Sequence, residues 1–241
     1  MQPTGQKDLS QEQLDQIELF LSAYNSIDHY LRKFINKGKE TSFTHLVKSY
    51  ADRYPRWGDQ EQLIILGDLR NYLVHDREGM YQYLSIPTPA VVESIQRIQE
   101  SFLAPELVIP RFQAQVRIIH TDDRLSGVLK IINKESFSQF PVYKGDTYIG
   151  LLTENGITRW LAAHVHEVLT LVEFDEINVE EVMKQEEDRP NHDFITRSTT
   201  ILEGESKFST NPSLEALFIT HNGKKEEKLM GIMTRWDLLT L

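Results

Sequence analysis

From Gln11 to about Lys37 the apolar positions are Leu14, Ile17, Phe20, Leu21, Tyr24, Ile27, Tyr30, Leu31, Phe34 and Ile35. Spacing of three and four residues over more than six turns predicts an amphipathic helix. Ser10 stands where an N-cap belongs and Gly38 where the helix should stop. A second helix is expected around Thr44 to Asp52, with Phe43, Leu46, Val47 and Tyr50 as its face. The stretch "YPRWGDQ" interrupts the pattern. A third helix follows from about Gln60 to Val74 through Leu63, Ile64, Leu66, Leu69 and Leu73. "IPTPA" opens a fourth, with Val91, Val92, Ile95, Ile98 and Phe102 inward. Four helices with short connections predict an all-α, four-helix bundle-like domain over residues 1–104.

After "LAPELVIP" the period changes. "QVRIIH" (Gln115–His120) reads as a strand, "DDRLSGVLKIIN" as a helix, "QFPVY" and "TYIGLLT" as strands, and "NGITRWLAAH" as a helix. "DFITR", "EALFIT" and "KLMGIMT" read as further strands, with a final helix at "RWDLLTL". Strand–helix–strand–strand–helix thus occurs twice, which predicts an α/β layer over residues 105–241. The fold class expected is α+β with two domains. The repetition holds at single residues: Gly150 aligns with Gly231 and Thr153 with Thr234, both at an offset of 81. A period of that kind is a repeat of a whole structural unit, one over about 107–167 and the next over about 177–241.

Composition narrows the chemistry. The chain has 241 residues and a formal net charge of −10. Uniform acidity argues against general nucleic-acid binding, because phosphate contacts supply most non-specific affinity, and DNA is not expected as a partner. There are no cysteines, so disulfides, thiolate metal sites and cysteine nucleophiles are excluded. The N-terminal "MQPTGQKDLSQEQLDQ" has neither an apolar core nor a small-residue cleavage signature. No stretch approaches the roughly 18 apolar residues that a membrane span needs. The expectation is a soluble, cytoplasmic protein without a membrane partner.

The segment "GIMTRWD" (Gly231–Asp237) closes a strand and opens a helix. Thr234 and Asp237 have the spacing of a capping box. A helix N-terminus is equally an anion site, and an acidic residue beside one can hold a ribose diol. The Gly–apolar–apolar–Thr–x–x–Asp run resembles the signature of CBS domains, and "FPVYKGDTYIG" resembles that family's Pro-Val strand and hairpin. The resemblance covers roughly residues 107–241, as a tandem CBS pair or Bateman module. It implies an adenine nucleotide (AMP, ADP, ATP or a cyclic form) as a regulatory ligand, with no other cofactor required. It further implies phosphate or ribose contacts from Thr153 and Thr234, ribose contacts from Asp237 and phosphate contacts from Arg235. The first repeat departs from the signature: Gly156 stands where the Asp should be. One good nucleotide site per chain is therefore expected at most.

"LRNYLVHD" (Leu69–Asp76) poses a second question, because Arg70, Asn71 and His75 end an otherwise apolar helix. Asn71 and His75 are four apart and share a face, whereas Arg70 and His75 diverge unless the helix ends there; Gly79 offers a stop. The three side chains suit phosphodiester cleavage by a ribose 2′-hydroxyl. A His with a pKa near 6.5 exchanges protons, and a guanidinium stabilises charge on the phosphorane oxygens. No metal is needed. Equally, His75 can simply complement the helix C-terminus. Arg–x4–His with Asn in second place resembles the HEPN family over roughly residues 10–104. That resemblance implies a homodimer and a metal-independent ribonuclease using Arg70, Asn71 and His75, with RNA as partner. Arg77 stands where one HEPN subgroup carries a target tyrosine, so that role is not implied.

The leading expectation is a nucleotide sensor whose CBS pair controls a HEPN-like ribonuclease. The alternative is a non-catalytic sensor or scaffold whose helical domain only dimerises or docks a partner. The placement of Arg32, Lys33, Lys37 and Arg70 relative to His75 separates them. His164 and His166, with Glu167, lack a third ligand at metal-binding spacing, and no metal is expected. "EEDRPNHD" (Glu186–Asp193) reads as a solvated connection, "EGESKFSTNPS" as a solvated loop or, alternatively, a lid, and "NGKKEEK" (Asn222–Lys228) as a hairpin tip. Trp57, Trp160 and Trp236 read as packing residues, with Trp236 also placed to flank a ligand.

Overall fold

The serine at position 10 opens helix α1 (Gln11–Ile35) with a complete capping box. Its hydroxyl accepts the Gln13 N–H at 3.2 Å, and the Gln13 side chain accepts the Ser10 N–H at 2.9 Å. The helix stops at Asn36, before Gly38. Asn36 takes the left-handed conformation (φ 54°) and its N–H closes on the carbonyls of Arg32 and Lys33, a position Asn tolerates better than most residues. Helices α2 (Phe43–Arg53), α3 (Gln60–His75) and α4 (Pro89–Leu103) follow. The structure, a computed structural model, describes residues 9–36, 38, 40–75, 85–135, 137–164, 174–186 and 190–239. Lys37, Arg77, Gly79, His166 and Glu167, and the side chain of His75, lie outside those residues.

The chain divides into two compact units, Met1–Glu106 and Leu107–Leu241. Within the first, α1 packs on α4 and α2, and α2 on α3. Its core holds Phe20, Ile27, Leu31, Leu46, Leu63, Leu73, Ile95 and Ile98. Tyr50 gathers Tyr54, Trp57 and Phe102 at ring-centroid distances of 4.8, 4.9 and 5.1 Å, so Trp57 is a packing residue. Among the described residues no helix is long and apolar enough to cross a membrane.

The second unit opens on a short helical turn, α5 (Val108–Arg111), and then builds the same unit twice. Strand β1 (Ile119–His120) runs parallel to β2 (Gln139–Lys144), which pairs antiparallel with β3 (Thr147–Thr153). Strand β4 (His192–Thr196) runs parallel to β5 (Ala216–Thr220), which pairs antiparallel with β6 (Gly231–Thr234). Helices α6 (Leu125–Glu135) and α7 (Glu154–Ala163) belong to the first repeat. A short α8 (Val179–Met183) follows, and α9 (Ile201–Thr210) serves the second repeat. A separate apolar cluster fills each repeat, around Phe140 and Trp160 in the first and around Phe208 and Met233 in the second. A third cluster joins the two sheets through Tyr143, Leu151, Ala216 and Phe218.

Three expectations change. The strand read over Gln115–His120 is strand only at Ile119–His120. Just before it the chain turns to the other sheet, where Gln113 bridges Gly231 and the Ala114 N–H bonds to the Met230 carbonyl at 3.3 Å. That approach needs a glycine at 231, because a Cβ there would collide with the Phe112 carbonyl. The "EGESKFST" stretch is helix α9 and not a loop. Thr200 and Glu203 form its capping box, and Ile201, Gly204, Glu205 and Phe208 are buried at helical spacing, so four turn-forming residues are outweighed by one cap and one apolar face. The final helix at "RWDLLTL" is a short 3-10 turn, Arg235–Leu239.

Candidate ligand cleft of the second repeat

Strand β6 delivers Thr234 to the start of the 3-10 turn, and Asp237 sits three residues further on. One Asp237 carboxylate oxygen, Oδ2, accepts the Thr234 backbone N–H at 2.6 Å and its hydroxyl at 2.8 Å. The capping role is therefore real. Both residues line a cleft of about 580 Å³ together with Arg111, Arg117, Phe137 and Trp236. Trp236 is 70% exposed and Phe137 43%, so two aromatic faces are available to a flat ligand. Arg117 lies 3.7 Å from Glu135, a contact too long and too exposed to hold it firmly. Cations, aromatic faces, a hydroxyl and a carboxylate thus converge on one opening.

Arg235 does something else. Its guanidinium donates to the carbonyls of Leu214 (2.8 Å), Asn211 (3.1 Å), Pro212 (3.1 Å) and Phe208 (3.4 Å) and lies 5.6 Å from the Phe208 ring centre. It closes the C-terminal end of α9, where carbonyls lack helical partners. The structure brings Thr234 and Asp237 together and directs Arg235 away to this second task.

Thr153, the first repeat's counterpart, is buried at 1% exposure. Its hydroxyl caps α7 by accepting the Gly156 N–H at 3.0 Å. Glu186, expected in a solvated connection, reaches back to it: the carboxylate accepts the Thr153 N–H at 3.0 Å and its hydroxyl at 3.1 Å.

In the helical unit, Arg70 and Asn71 line a smaller cleft of about 360 Å³ with Arg32, Asp28, Glu40 and Asp68. The Arg70 Nη1 donates to Asn71 Oδ1 at 3.5 Å and the guanidinium lies 5.3 Å from the Tyr24 ring centre. Arg32 donates two bonds to Asp28, at 2.7 and 2.9 Å, and Lys33 is exposed. Burial, with Asp28 adding to it and Arg70 and Arg32 opposing, pushes the Tyr24 phenol up to about 12. Among the described residues no group of three or more His, Asp and Glu is placed to hold a metal ion.

Arg111, Arg117, Phe137 and Glu186 were not found from the sequence. Phe137 carries the one local signal, an aromatic among polar residues just ahead of β2. The others belong to the site only through pairings between distant segments.

The family model of the CBS domain matches residues 112–163. No curated protein matches the chain. Among solved structures, the chain is similar to a conserved CBS domain protein of Thermoplasma acidophilum at 17% identity, over 56% of this chain and 67% of that one, with a TM-score of 0.42. It is similar to CBSX2, solved in complex with AMP, at 12% identity over 56% and 94% of the two chains, TM-score 0.41. It is similar to CbpB, solved in complex with c-di-AMP, at 20% identity over 61% and 91%, TM-score 0.42. A CBS domain is thus matched at residues 112–163, within the C-terminal α/β region.

Proposed function

We propose that this chain is a nucleotide-sensing regulatory protein whose CBS-type region binds an adenine nucleotide in the cleft at Thr234 and Asp237. The observation that carries the reading is the convergence in that cleft of Arg111, Arg117, Phe137 and Trp236 with the Thr–x–x–Asp turn. In this reading the guanidinium groups meet phosphate, Asp237, held in place by Thr234, accepts from the ribose hydroxyls, and the base stacks on Phe137 or Trp236. The nucleotide is a regulatory ligand and not a cofactor. It controls the helical unit only so far as it binds two states of the chain with different affinity.

The test uses the full chain, titrated separately with AMP, ADP, ATP and c-di-AMP, followed by tryptophan fluorescence and by calorimetry. At least one is expected to bind saturably and to change the emission, and Trp236→Phe is expected to remove the change. Asp237→Asn keeps an acceptor for Thr234 while removing the charge, and is expected to weaken binding about tenfold or more. No saturable binding to any of the four, or wild-type affinity in Asp237→Asn, would overturn the proposal.

A second reading concerns the helical unit. Arg70, Asn71 and His75 would form a metal-independent ribonuclease set in a homodimer, and the cleft shared by Arg70, Asn71 and Arg32 favours it. The same cleft carries Asp28, Glu40 and Asp68, and Asp28 already holds Arg32. We take this balance to favour a non-catalytic helical unit that pairs with a second copy or docks a partner.

A further inference from the structure

The two repeats solve one local problem in two ways. In each, a strand ends on a Thr whose backbone N–H and hydroxyl both donate to a carboxylate. In the second repeat that carboxylate is Asp237, three residues away. In the first it is Glu186, 33 residues downstream, across the start of α7. The residue three beyond Thr153 is Gly156, and a Cβ built there would collide with the Glu186 carboxylate. The missing Asp and the incoming Glu therefore exclude one another sterically. Either side chain can satisfy Thr153, but not both together.

We propose that Glu186 is a built-in replacement for the first repeat's missing carboxylate, and that by occupying the end of β3 it closes that repeat to a ligand, leaving one nucleotide site per chain. The replacement stands on the geometry alone; the closure rests on the nucleotide reading of the second repeat. Thr153 is 1% exposed and covered by the Glu186 carboxylate, whereas Thr234 and Asp237 line an open cleft, so a phosphate or ribose reaches the turn of the second repeat and not that of the first. The segment from α8 to Glu186 is tied to the first repeat by the same contact.

A thermal double-mutant cycle on the full chain tests the replacement. Glu186→Ala strips Thr153 of its acceptor, and Gly156→Asp forces a second carboxylate against Glu186. Each is expected to lower Tm by about 2–4 °C. Together they are expected to recover most of that loss, because the carboxylate introduced by Gly156→Asp can then serve Thr153 as Asp237 serves Thr234. A double variant whose loss is simply the sum of the two overturns the replacement. Calorimetric stoichiometry tests the closure, with the nucleotide that binds the wild type as probe. One site per chain is expected for the wild type and two for the double variant. Two sites in the wild type, or one in the double variant, overturn the closure. A wild type that binds no nucleotide overturns the sensor reading instead, and the thermal cycle then decides the replacement by itself.

Discussion

Arg235 shows how a residue inside a recognisable signature can serve the fold instead of the ligand. Its sequence neighbours mark it as a phosphate contact, yet its guanidinium spans four carbonyls between Phe208 and Leu214. A planar fork can do this and an ammonium cannot. Arg235→Lys is therefore expected to cost about 1–2 kcal/mol of stability, read as a lower midpoint in thermal unfolding. Nucleotide affinity in the cleft should change less than threefold. A large loss of affinity at unchanged stability would return Arg235 to the ligand. What the sequence reveals at this scale is what spacing can encode. Thr234 and Asp237 touch because they are three residues apart at a helix start. The partners of Thr153 and Arg235 lie 33 and 21–27 residues away, and no local period points to them.

Elements follow the same division. Helices α1 and α2 are legible because an apolar stripe and a side-chain cap define them, α3 and α4 because their apolar spacing does, and the hairpin β2–β3 because two strands flank a short turn. Helix α9 is obscured by its Gly, Ser and Thr content, and β1 by its change of sheet after Gln113. The packing of one sheet on the other is not encoded locally at all, and it carries a titratable group. His192, at the start of β4, lies 5.4 Å from the Tyr148 ring and 5.9 Å from that of Phe218, with a 2.8 Å bond to the Asn191 side chain. Burial lowers its pKa below the usual 6.5, only partly opposed by the neighbouring Asp193. The unfolded chain thus binds this proton more readily than the folded one. Stability from His192 is full above about 6.5 and is lost as pH falls from there through the folded-state value. Thermal midpoints between pH 7.5 and 5.5 should fall for the wild type and fall less for His192→Phe. Equal slopes would mean that the ring stays solvated when charged.

For the whole molecule the question is whether the helical unit cuts RNA, and charge bears on it twice. The chain carries −10 formally, so the long-range field repels a polyanion. In the cleft, two Arg face Asp28, Glu40 and Asp68, and a phosphate must displace Asp28 from a two-bond contact with Arg32 before it can use that guanidinium. The Tyr24 phenol, held at about 12, stays protonated at neutral pH and offers no base. The carboxylates of that cleft could accept a proton, but their charge repels the phosphate that would have to sit beside them. A single-stranded RNA incubated with the chain and EDTA, with each adenine nucleotide added in turn, is therefore expected to remain intact. His75→Ala should behave identically, while nucleotide binding at the Thr234–Asp237 cleft is unaffected. Cleavage abolished by His75→Ala would show that the acids of the cleft are displaced on binding and would restore the ribonuclease reading. If one nucleotide then changed the affinity for RNA by some factor, linkage requires RNA to change the affinity for that nucleotide by the same factor, which makes the coupling measurable from either side.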